Sequence, residues 1–128
     1  MWIEYNPNPK RKNVGDCTVR AVAKALNIGW LAAFMQIVTD AIKMCDMPSS
    51  NAVWGATLKR HGFARAVIPN MCEDCYTAED FCNEYFKGTY VLCFGNHVAT
   101  CIDGDLYDSW NSLGESPQYY WYKEAEHE

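Results

Sequence analysis

The chain has 128 residues, of which 49% are hydrophobic and 14% aromatic, with a formal net charge of −5. A chain of this length buries roughly two thirds of its unfolded surface, so one domain over residues 1–128 with a core of its own is expected. The acidic balance excludes nucleic acid as the main partner, and the short run Lys10-Arg11-Lys12 reads as a solvated turn.

Seven cysteines is an odd number. The start Met1-Trp2-Ile3-Glu4 carries no basic, apolar leader, and no apolar run reaches membrane-spanning length, Trp30 to Val38 being the longest. The expectation is a cytoplasmic, reducing setting with free thiols, and no membrane partner. The oligomeric state is left open.

Residues 1–15 are rich in Asn and Pro and read as an extended segment wrapping the domain, anchored by Trp2 and Tyr5. A first helix is expected from about Asp16 to Leu26. Val19, Val22, Ala23 and Leu26 follow the spacing of a buried helical face. Asp16 is a suitable N-cap, which makes Cys17 the first helical residue. Both sides of this helix are small or apolar, and only Arg20, Lys24 and Asn27 call for solvent; Arg20 reads as a surface ion-pair residue.

Asn27-Ile28-Gly29 breaks the helix. A second helix runs from about Trp30 to Cys45, with Leu31, Phe34, Met35, Val38, Ile42 and Cys45 as its core face. Met47 to Ser50 is a turn, and a third helix follows, carrying Val53, Trp54, Thr57 and Leu58 and stopping at His61-Gly62. Phe63 to Ile68 is a strand. Met71 to Tyr76 is a loop, and a short fourth helix runs from Thr77, as cap, through about Phe86, with Asp80 completing a capping box.

Four β-like runs follow: Thr89 to Phe94, His97 to Ile102, Leu106 to Trp110 and Tyr119 to Tyr122. Asp103-Gly104 between two apolar runs is a hairpin signal. Helices first and strands last predict an α+β fold, with an N-terminal helical part packed on a C-terminal antiparallel sheet.

Three residues can act together. Cys17 stands at a helix N-terminus, where the macrodipole and free N–H groups favour a thiolate. His97 opens a strand, and Asp108 lies on the next strand of the hairpin, nearly opposite. A thiol nucleophile needs a base, and the base needs a third group to hold its orientation. Trp110 is expected to pack over the His97–Asp108 pair and shield it.

The ordered set Gly15-Asp16-Cys17 heading a helix, then His97, then Asp108-Ser109-Trp110, resembles the papain-like cysteine peptidase fold. More closely, it resembles small bacterial and phage proteins of that fold, with Gly-Asp-Cys-Thr-Val-Arg-Ala heading the helix and Tyr-Asp-Ser-Trp-Asn closing the site. The resemblance spans about Asn6 to Trp121. It implies a thiol hydrolase, a peptidase or amidase acting on a peptide or amide-bond substrate, with a Cys17-His97-Asp108 triad and no cofactor. Papain-like peptidases place an oxyanion-hole glutamine about six residues before the cysteine, where this chain has Arg11. Asn13 is the substitute donor at hand. The departure, with the small size, implies an alternative: a papain-fold binding or structural module with little or no activity.

A rival site is Cys72-Glu73-Asp74-Cys75, a C-x-x-C spacing with Cys82 as a possible third ligand. No second pair completes a metal set, and Glu73 and Asp74 disfavour a thiolate. No metal is expected. Cys45, Cys82, Cys93 and Cys101 read as small buried hydrophobes.

Overall fold

The computed structural model describes residues 1–69 and 75–123. Their elements run β1 (Trp2–Glu4), α1 (Cys17–Leu26), α2 (Trp30–Met44), α3 (Asn51–Arg60), β2 (Phe63–Val67), α4 (Ala78–Glu84), β3 (Thr89–Phe94), β4 (His97–Ile102), β5 (Asp105–Asp108) and β6 (Tyr119–Lys123). The class is α+β.

The strands form one mixed sheet in the order β1-β5-β4-β3-β6-β2. Period-two alternation in β3 divides the core. Val91 and Cys93 face α1, α2 and α3 in one cluster, whereas Leu92 and Phe94 join Phe81 and Cys82 of α4 in the other. The sheet is therefore covered on both faces, rather than packed against helices on one. Thr100 Oγ1 donates to the Ala21 carbonyl at 2.7 Å and ties β4 to α1.

Local rules explain most of the boundaries. Asn27 ends α1 in the left-handed region, at φ 55° and ψ 49°, which asparagine tolerates better than most residues. Thr77 and Asp80 form the full capping box of α4. Asp103 and Gly104 both have positive φ and join β4 to β5 as a two-residue turn.

Several expectations are corrected. The N-terminal segment is not merely a wrap: β1 pairs with β5 in parallel, Glu4 opposite Asp108, so the sheet is mixed rather than an antiparallel meander. Local sequence does not encode this pairing, which joins residues about a hundred positions apart.

The buried face of α2 is also different. Ala33, Ile37, Asp40 and Ala41 are buried, while Leu31, Met35 and Ile42 are exposed and Val38 is half-buried. Phe34, also on the outer side, stacks on Trp30 with ring centroids 5.2 Å apart. A helix apolar on nearly every side has no unique buried face by periodicity, and the small Ala33–Ile37–Ala41 row lets α2 approach its neighbours closely. Asp40 is retained inside because it accepts from Thr57 Oγ1 at 2.5 Å and Arg60 Nη2 at 2.9 Å, clamping α2 to α3. Cys45, expected in the core, is exposed in the left-handed C-cap position of α2.

No single helix among the described residues is long and apolar enough to cross a membrane.

Candidate active site

Cys17 is the first residue of α1 and is half-buried. Its backbone N–H belongs to the first turn, which lacks intrahelical acceptors. Its thiol interacts with the His97 side chain and the Val98 backbone, and both interactions favour the thiolate. Burial opposes ionisation of Cys17, but those two interactions and the charges of His97 and Arg20 outweigh it, and the thiol pKa is lowered. Cys93 lines the same cleft and behaves oppositely: burial pushes it up to about 12.

His97 opens β4 directly after the Gly95-Asn96 turn. Its Nε2 donates to Asp108 Oδ2 at 2.6 Å. Burial disfavours the imidazolium, yet the bond to Asp108 and the interaction with Cys17 raise the His97 pKa to about 9. A lowered thiol beside a raised imidazole favours the thiolate–imidazolium pair near neutral pH.

Asp108 is 1% exposed and fully engaged. Besides His97, Oδ2 accepts from Ser112 Oγ at 2.6 Å. Oδ1 accepts from the Ser109 backbone N–H at 2.7 Å and from Arg20 Nη2 at 3.3 Å. Its backbone carbonyl accepts from Tyr5 N–H at 2.8 Å and Trp2 Nε1 at 3.1 Å, so β1 buttresses the site. Burial would raise the carboxyl's pKa, but the bonds from His97 and Ser112, the His97 charge and the Ser109 N–H hold it below its ordinary value.

The cross-strand arrangement differs from expectation in register. Ile102 pairs with Asp105 and Thr100 with Tyr107, so the continued register sets Asp108 opposite Ala99. His97 and Asp108 are diagonal neighbours on the same face, within reach of long side chains. The two-residue Asp103-Gly104 turn causes the offset.

Arg20 is the residue that sequence reasoning misplaced. It is 6% exposed and bridges two buried carboxylates, Asp108 and Asp16. Asp16 is correspondingly no side-chain cap: its Oδ1 is taken by Arg20 and its Oδ2 accepts from Trp30 Nε1 at 2.8 Å. The i,i+4 spacing of Asp16 and Arg20 was a visible ion-pair signal. Its burial was not visible, because it depends on Asp108 arriving from a distant strand. Nothing in the sequence marked Ser112.

The cleft over Cys17 and His97 has a volume of about 240 Å³. Gly15, Ser49, Asn51, Asn96 and Tyr119 help to line it. Asn13 does not; it is exposed. Asn51 is the better placed amide: its Oδ1 accepts from Trp54 Nε1 at 3.1 Å, which orients Nδ2 as a free donor. Trp110 packs beside the imidazole at a centroid distance of 4.9 Å and is 44% exposed, a partial cover.

Cys82 and Cys101 are buried with their sulfurs 3.1 Å apart, and Cys93 is buried as well. Cys75 is disulfide-bonded, a departure from the expectation of free thiols throughout. Cys72, Glu73 and Asp74 of the C-x-x-C spacing lie outside the described residues. Among the described residues no group of three or more His, Cys, Asp or Glu could hold a metal ion.

No family model, no curated protein and no solved structure matches this chain.

Proposed function

We propose that this chain is a papain-like thiol hydrolase, a cysteine peptidase or amidase. The observation that carries the reading is Cys17 at a helix N-terminus, sharing an open cleft with a His97 that is hydrogen-bonded to Asp108 and that favours the Cys17 thiolate. The Cys17 thiolate attacks the carbonyl carbon of the amide, and the carbonyl electrons move onto oxygen. As the tetrahedral intermediate collapses, the C–N bond breaks and the His97 imidazolium gives its proton to the leaving nitrogen. Neutral His97 then takes a proton from water, whose oxygen attacks the thioester. The C–S bond breaks, the acid leaves, and the thiolate–imidazolium pair is restored. Asp108 keeps the ring oriented and stabilises its charged form.

The Cys17 N–H and Asn51 Nδ2 serve as oxyanion donors in this reading. Asn51→Ala is expected to lower turnover of fluorogenic peptide amides by about 10²-fold. Unchanged turnover would remove Asn51 from that role.

The reading is tested without a known substrate by following iodoacetamide labelling of Cys17 against pH. Labelling is expected to begin well below pH 8, because the thiolate persists while His97 is protonated. A rate that rises only in the ordinary thiol range sinks the proposal.

A second reading, a binding module of the same fold with little turnover, is favoured by one observation. Arg11 stands where the family carries its glutamine, and both Arg11 and Asn13 are exposed. It predicts the same early labelling with no hydrolysis of any peptide amide.

A further inference from the structure

We propose that the substrate is a peptide carrying a carboxylate, held by Arg65 and Lys59 in a channel that continues from the Cys17 cleft. This rests on the hydrolase reading and names its substrate class.

The channel is built from α3, β2 and β6. Asn51 and Tyr119 line the cleft over Cys17 and also a neighbouring cavity of about 430 Å³. That cavity shares Lys59, Arg65 and Trp121 with a third, of about 530 Å³. The three are thus linked by common walls. Their combined extent suits a ligand of several residues.

The floor is low because α3 presents the small side chains of Ala52 and Ala56 there. At Gly55 a Cβ would come within 2.9 Å of Trp121 Cζ2, so the glycine lets the indole lie against the helix.

The charge of this channel runs against that of the chain. The whole sequence has 16 acidic and 11 basic residues, yet no carboxylate is among the described residues lining these three cavities. Among the described residues the cations in them also lack a carboxylate partner. Arg20 and Arg60 each pair with a buried carboxylate, whereas neither Lys59 nor Arg65 forms an ion pair with any described residue. Arg65 is held in place by Tyr119, its guanidinium lying 4.0 Å from the ring centroid. A planar, pre-oriented guanidinium favours bidentate pairing with a carboxylate, and Lys59 adds a point charge beside it.

The test uses Cys17→Ala, so binding is read apart from turnover. The probes are fluorescent, amidated peptides with one Glu placed at each position in turn, and their Gln counterparts. A Gln peptide with a free C-terminus distinguishes a terminal carboxylate from a side-chain one. At low ionic strength the best carboxylate peptide is expected to bind about three- to tenfold tighter than its neutral counterpart. The gap should shrink with salt and vanish in Arg65→Gln/Lys59→Gln. Equal binding of charged and neutral peptides, no binding at all, or a gap that survives the double substitution overturns the inference. None of these outcomes touches the thiol chemistry, which the pH profile of Cys17 labelling judges separately.

Discussion

Arg20→Met is expected to destabilise the folded state by about 3–5 kcal/mol, the cost of breaking a buried ion pair from one side. The substitution keeps the length and the apolar stem of the side chain but removes the cation between Asp16 and Asp108, which are 5% and 1% exposed. Asp16 would retain the Trp30 indole N–H, and Asp108 would retain His97, Ser112 and the Ser109 N–H. Asp16 would then have lost its cation, and Asp108 would keep the His97 imidazolium as its one charged donor. For a chain of this size the loss corresponds to a fall in Tm of roughly 10–15 °C.

The pH dependence has a definite sign. The Asp108 carboxyl is held below its ordinary pKa in the fold. Its contribution is therefore present above the unfolded value and fades as pH falls through the folded one. The bridge needs the Asp108 carboxylate charged, so the difference between Arg20→Met and the parent should narrow as the pH falls and that carboxylate is neutralised in both. Arg20→Lys should recover only part of the loss, because one ammonium cannot bridge two carboxylates as a fork does. Melting of Arg20→Met within about 2 °C of the parent at pH 7 would show that the bridge contributes little.

His97→Ala is expected to have the largest effect on chemistry while leaving the fold intact. Without the imidazole, Cys17 loses the interaction and the charge that offset its burial. Its iodoacetamide labelling at pH 6.5 should fall by at least about tenfold, since each unit of thiol pKa is a factor of ten in thiolate below the pKa. Under the proposed function, amide turnover should fall further, by about 10⁴-fold or more, because the general acid and the thiolate's partner are lost together. Asp108→Asn should approach that loss in turnover by releasing the ring from its productive orientation.

Under the same proposed function, the high-pH limb of the parent protein's activity would report the same residue. His97 has its pKa raised to about 9, so turnover should decline as the pH passes that value and the proton destined for the leaving group is gone. Turnover that stays level through pH 10 would exclude His97 as that acid.

The helix behind Cys17, the two hairpin turns, the capping box at Thr77 and the identity of His97 and Asp108 were readable from the chain. Each depends on residues within a few positions: a stripe of small apolar residues, an Asp-Gly pair, a Thr and an Asp three apart. The strand bounds of β3 and β4 follow in the same way from apolar runs between glycine turns.

What local pattern could not supply was partnership across the chain. β1 is a strand only because β5 offers it an open edge. The buried side of α2 was decided by how closely its alanine row could pack, since its bulkier apolar side was equally eligible by periodicity. Arg20 changes from a solvent cation to the centre of the site once Asp108 is brought against α1. The wall of the channel over α3 includes Gly55 and Trp121, which are far apart in sequence and come together only in the fold. The sequence by itself determined the helix that Cys17 opens and the turns that flank His97; the tertiary structure alone decided what surrounds Cys17, His97 and Asp108. The physical reason is range: propensity, capping and turn chemistry act over a few residues, while burial and charge pairing act between whichever groups the fold brings within a few ångströms.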